Sequence, residues 1–174
     1  MMKRIIDKFV IGSIITAFVI SVSCNSKEKA QNQATTELSL DKKLEVFVTD
    51  SLIQTNKDSL VINFSQQTNF EWDSLFIFEP YTSDKLIEEE LGFKWSSAKS
   101  EIRSLGETKT LLVFLKADEI VKTFKYPRNK GDFIKLDMRG PYKRQEGIFT
   151  IKKEKYGEED WLFFYFTPPS DAKI

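Results

Sequence analysis

The side chains of this chain limit its chemistry more by omission than by pattern. Its 174 residues include no His and a single Cys, which excludes a Ser-His or Cys-His pair, an imidazole base and a His-containing zinc or iron site. One thiol forms neither an internal disulfide nor a multi-thiolate cluster. No cofactor is expected, because the chain has no G-x-G-x-x-G or G-K-[ST] phosphate loop and no D-x-D-x-D-G calcium loop. Carboxylates are the one catalytic resource left. Glycoside hydrolysis needs only two of them, about 5 Å or about 6.5 to 9.5 Å apart. The acidic runs Glu88-Glu89-Glu90 and Glu158-Glu159-Asp160 are consecutive, however, and consecutive acids on a helix or hairpin point to solvent. No catalytic residue or metal ligand is assigned, and an enzyme is not expected.

Residues suited to binding are easier to find. Trp72, Tyr81 and Trp95 flank one strand-turn-helix segment and would form either an aromatic platform for a sugar or peptide or a clamp inside the core. The clamp is favoured because large aromatics dominate cores, and Asp73, Glu71 or Tyr81 would then satisfy the buried indole N–H groups. From Lys125 to Arg144 seven basic residues, Arg139, Lys143 and Arg144 among them, stand against Asp132 and Asp137. With Tyr126, Phe133 and Tyr142 interleaved, this has the composition of a nucleic-acid surface. An export signal argues against nucleic acid, and leaves an anionic lipid or glycan, or a solvated face, as the readings. Ser96-Ser97-Ala98-Lys99 has the S-x-x-K spacing of penicillin-recognising enzymes. The S-D-N and K-T-G partners are missing, and the same spacing recurs at Ser26 to Lys29, so it is read as coincidence.

The export signal is read from the start of the chain. Lys3, Arg4 and Lys8 precede Phe9 to Val22, an uncharged apolar run of 14 residues. As a helix this run would reach only ~21 Å, short of the ~30 Å hydrocarbon core, so it is read as a secretory signal and not a span. Ser21-Val22-Ser23-Cys24 follows, and then the polar stretch Asn25-Ser26-Lys27-Glu28-Lys29. This resembles the signal and lipobox of bacterial lipoproteins, although Ser21 stands where that family more often has Leu or Val. The resemblance implies cleavage before Cys24, acylation of its sulfur and amino group, and a lipid bilayer as partner. Removing residues 1–23 leaves 151, with 23 basic and 25 acidic side chains. Two or three acyl chains hold such a protein on a membrane where one does so only marginally.

The elements that position these residues begin after a tether. Residues 24–40 form a lipidated linker without aromatics, too polar to order itself, and residues 41–174 form a single α+β domain. All three Trp and all five Tyr fall in that domain. Short β-prone runs recur at Leu44 to Val48, Ser59 to Ser65, Ser74 to Glu79, Thr110 to Lys116, Glu119 to Lys125, Phe133 to Asp137, Gly147 to Lys152 and Trp161 to Phe166. Ala117-Asp118 and Lys155 to Glu159 read as hairpin turns. Ser83 caps a helix over 84–91 with Gly92 as its left-handed stop, and a second helix covers Ser97 to Ser104. The fold expected is a mostly antiparallel sheet with one or two short helices packed on a face. Leu75 to Phe78, Leu111 to Leu115 and Trp161 to Phe166 are apolar at successive positions, so they are either covered on both faces or offer one face to a partner. Coverage is favoured, by the segment 44–55 or by a second sheet.

The segment Phe70 to Trp95 also resembles a pattern of short bacterial lipoproteins with no assigned activity, which implies a fold unit and no chemistry. Three functions remain in view. The first is a non-enzymatic binding or assembly module of the cell envelope, partnered by an envelope protein or an anionic glycan or lipid. The second is an inhibitor or accessory protein of an envelope enzyme, and the third a small carboxylate-dependent glycan hydrolase.

Overall fold

The computed structural model describes residues 40–55, 57–168, 170 and 171. The signal, Cys24 and the tether up to residue 39 lie outside them. The elements run α1 (Leu40–Thr55), β1 (Ser59–Asn63), a one-turn α2 (Phe64–Gln67), β2 (Ser74–Phe78), α3 (Asp84–Leu91), α4 (Ala98–Arg103), β3 (Lys109–Lys116), β4 (Glu119–Pro127), β5 (Tyr142–Lys143), β6 (Ile148–Tyr156) and β7 (Glu159–Phe166). The class is α+β, with two antiparallel sheets ordered β4-β3-β2-β5 and β1-β6-β7.

Alternation along the strands sorts the apolar residues into two cores. Leu75 and Ile77 of β2, with Leu112 and Phe114 of β3, face Ile62, Phe149, Ile151 and Phe164 of the other sheet, and Leu40, Leu44 and Val48 of α1 join the same cluster. The opposite side chains, Phe76 and Phe78 with Leu111, Val113 and Leu115, pack against Ile87 and Leu91 of α3 and Ala98 of α4. The four-stranded sheet is thus the middle layer, and β2 and β3 are apolar at every turn of the pleat because both faces are dry.

Local signals hold at the helix ends and turns. The Ser83 hydroxyl accepts from the Leu86 N–H at 3.2 Å, and Gly92 stops α3 at φ 81° while its N–H donates to the Glu88 carbonyl. Ala117 and Asp118 both adopt left-handed φ, 47° and 64°, which matches the twist of a two-residue hairpin.

Two expected strands are not strands. Leu44 to Val48 lies inside α1, where Leu40, Leu44, Val48 and Leu52 recur every fourth residue and turn toward the inter-sheet core. That period outweighs the β-branched character of Val46 and Val48. Phe133 to Asp137 is an irregular loop: Phe133 and Leu136 turn into the core, and the Leu136 N–H bonds back to the Phe133 carbonyl. Asp132, just before this loop, bridges to a strand through its backbone, in an isolated parallel bridge to Phe163 in which its N–H and carbonyl take the Leu162 carbonyl and the Phe164 N–H, each at 2.8 Å.

Candidate functional site

The sequence-predicted binding residues do not converge. Trp72 is buried in the inter-sheet core, whereas Trp95 packs part-buried beneath α3 and α4 on the other side of the middle sheet. The indole N–H of Trp72 donates to the Thr68 hydroxyl at 2.9 Å, and not to Asp73, Glu71 or Tyr81. Each of those is placed elsewhere: Asp73 accepts from the Ala117 N–H at 2.9 Å, Glu71 is exposed, and the Tyr81 hydroxyl donates to Glu107. That bond, more than burial, holds the Tyr81 phenol above its ordinary pKa. Trp72 and Trp95 are therefore core clamps, and they share no platform with Tyr81.

The basic segment divides into two halves. Lys125 pairs with Glu101 at 2.9 Å, Arg128 with Asp132 at 2.7 Å and Lys130 with Glu45 at 2.8 Å. Lys130, then Lys42, holds the Glu45 carboxyl below its ordinary pKa. The later cations meet neutral groups instead. Lys143 Nζ reaches the Ser74 hydroxyl at 3.3 Å, Arg144 lies over the Trp72 ring and donates to the Phe70 carbonyl at 3.1 Å, and Arg139 is exposed. The segment does not present seven free cations on one surface.

A different set of aromatics does gather on the outer face of the three-stranded sheet. In the three-stranded sheet, Phe149, Ile151, Leu162, Phe164 and Phe166 point inward, so the pleat sends Lys152, Glu154, Tyr156, Trp161, Phe163 and Tyr165 outward. Tyr156 is 64% exposed and stands 5.5 Å from the Trp161 ring and 6.2 Å from Phe163. Phe163 is 2% exposed, roofed by Tyr156 and by Lys135, whose Nζ sits 5.3 Å from the ring centroid. Lys152 Nζ lies 4.7 Å from the Tyr165 ring, and the Tyr165 hydroxyl donates to Glu154 at 2.7 Å. Burial and then this bond push the Tyr165 phenol up to about 12. At the hairpin end Asp160 pairs with Lys155 at 2.8 Å and Lys153 at 3.3 Å, which holds its carboxyl below the usual range.

Compared with known proteins, the chain matches no family model, no curated protein and no solved structure. The face must be read from its own chemistry. Rings carrying polar edges, interleaved with ammonium and carboxylate groups of both signs, suit a ligand with apolar C–H surfaces and many hydroxyls. Among the described residues no group of three metal-ligating side chains occurs, and no helix is long and apolar enough to cross a membrane.

Trp161 and Tyr165 were within reach of sequence reasoning. The run Trp161 to Phe166 is apolar at alternate and intervening positions alike, which signals either two covered faces or an offered one. Here β7 differs from β2 and β3, because no described helix lies on its outer side.

Proposed function

We propose that this chain is a membrane-anchored lipoprotein of the cell envelope, acylated at Cys24, whose domain is a non-enzymatic binding module. Its binding surface is the outer face of the three-stranded sheet, and its ligand an envelope glycan. The lipobox and polar tether in the sequence support the anchor. One observation supports the binding role above others: exposed Tyr156 and part-exposed Trp161 and Tyr165 share one sheet face, in a domain where both faces of β2 and β3 are buried. Burying one such ring contributes on the order of 1.5 to 3 kcal/mol, and an aromatic contact ~0.5 to 1.5 kcal/mol more. A face of this kind has a reason to remain open only if something occupies it.

The experiment has two arms. Radiolabelled palmitate should enter the full chain and be lost in Cys24→Ala; label that persists in the variant removes the anchor. Cell-envelope polysaccharide fragments titrated onto the protein should shift Trp fluorescence, and Tyr156→Ala or Trp161→Ala should abolish the shift. If glycans give no shift while an envelope enzyme binds and loses affinity in the same variants, the inhibitor or accessory reading replaces this one.

A further inference from the structure

We propose that a second site, independent of the aromatic face, lies at the end of the four-stranded sheet and takes a small zwitterion of the amino-acid type. The helix α3 ends at Leu91, and next to it a groove of about 330 Å³ opens over Ser74, Phe76 and Leu115. Such a volume lies at the lower end of the range for small-molecule sites. Lys143 stands on one wall and the Ala117-Asp118 turn, with Asp73, on the other.

The strand order fixes this opposition. β5 and β3 flank β2 on opposite sides, so Lys143 and the turn are two strand spacings apart, about 10 Å. The reach of Lys143 across Ser74 narrows that gap to small-molecule width. Ser74 and Lys143 are cross-strand partners, which sends both side chains to the groove side of the sheet. Asp73 is placed by its own bond, since one carboxylate oxygen takes the Ala117 N–H at 2.9 Å.

Charge gives the ligand class. Lys143 forms no ion pair with Asp73 or Asp118, and its one side-chain bond is to a neutral hydroxyl. The groove therefore offers an ammonium on one wall and carboxylates on the other, none of them in an ion pair among the described residues. A molecule carrying a carboxylate and an ammonium a few ångströms apart completes both, with charge-assisted hydrogen bonds at each end. Phe76, Leu91, Leu115 and Pro141 line the space between, so the ligand's own side chain is apolar. Two acids on one concave surface also meet the first requirement of a glycosidase. Asp73 is already committed to the turn, however, so the pair is not two free groups facing a water, and binding is the role that fits.

The test uses the full chain with leucine, its decarboxylated analogue 3-methylbutylamine and its deaminated analogue 4-methylpentanoate. Titration calorimetry should find leucine bound at least about tenfold more tightly than either analogue. Lys143→Met should reduce leucine to the level of the amine, and Asp118→Asn to the level of the acid. Asn tolerates the left-handed backbone at that position, and unchanged urea midpoints verify that both variants fold. The proposal is overturned if either analogue matches leucine, if folded variants bind leucine undiminished, or if leucine shows no heat at about 10 mM. Failure here leaves the aromatic face untouched, because that site is read separately through Tyr156 and Trp161.

Discussion

Replacing Asp132 should loosen the loop after β4, whose carboxylate bonds to Arg128 and Ile134 are lost while the backbone bridge to β7 remains, and the size of the effect follows from those bonds. Asp132 is 2% exposed, and its Oδ2 takes both Nε of Arg128 at 2.9 Å and Nη2 at 2.7 Å. Its Oδ1 takes the Ile134 N–H at 3.1 Å. Breaking a buried pair by removing one partner is expected to destabilise by ~3 to 5 kcal/mol. Two features reduce that here. The Arg128 side chain is 27% exposed, and its Nη1 keeps the Glu107 carbonyl at 3.0 Å. About 2 to 3 kcal/mol is then expected for Asp132→Ala, including ~1 kcal/mol for the orphaned Ile134 N–H. Asp132→Asn keeps an acceptor for that N–H and should lose less, about 1 to 2 kcal/mol. Urea unfolding of wild type, Arg128→Met, Asp132→Asn and the double variant closes a cycle, with an expected coupling of ~1 to 2 kcal/mol. Being shielded, the coupling should persist between about 0.1 and 1 M salt. A coupling below ~0.5 kcal/mol, or one that vanishes with salt, would refute the account of Asp132 as the pin.

Three further outcomes are expected. Thr110 is fully buried and its hydroxyl has no partner among the described residues, so Thr110→Val should raise stability by ~1 kcal/mol or more in urea unfolding, and a loss would mean the hydroxyl is bonded. Ala117 holds a left-handed φ of 47° that disfavours a side chain, so Ala117→Gly should stabilise by up to ~1 kcal/mol despite the added freedom of the unfolded chain. A lower midpoint would show that the turn is not strained. Tyr165 is pushed up to about 12, and burial holds Tyr142 higher still. Each folded value lies above the unfolded one, so both contribute stability that is complete below about pH 10 and is lost for Tyr165 as pH rises through about 12. Absorbance titration should therefore show phenolate lagging at about pH 11, and Tyr165→Phe should lessen the alkaline loss of stability, whereas five phenols titrating together near pH 10 would contradict both environments.

What could be read from the sequence was local. Ser83, Gly92 and the Ala117-Asp118 turn act within a few residues of themselves, so their signals need no tertiary contact. The helix α1 escaped because Val46, Phe47 and Val48 favour a strand in isolation, and only the inter-sheet core selects the four-residue spacing of Leu40, Leu44 and Val48. The loop at Phe133 to Asp137 has strand composition but no neighbour to pair with, since Asp132 has already taken the β7 edge. The groove was invisible for the same reason. Ser74 and Lys143 are 69 residues apart in the chain and become neighbours only through two rungs of β2–β5 pairing. Trp72 and Trp95 drew attention as the aromatics of one short segment, yet β2 runs between them and sends one into each core. Trp161, equally conspicuous, lies part-buried on the outer face of β7, where Tyr156 and Lys135 cover Phe163 but no described helix packs.

Leu40 is the first described residue of α1, and it is buried among the two sheets. If the chain is held at Cys24 as proposed, tension on the anchor reaches the sheets through α1. The load runs first along α1, where Leu40, Leu44 and Val48 are spaced one turn apart and Glu45 ties the helix to Lys130. A pull along this path should strip the packing of α1 turn by turn before it breaks the strand ladders. The outer face of β6 and β7 is turned away from α1, which packs in the inter-sheet core, so such a pull should leave that face in place.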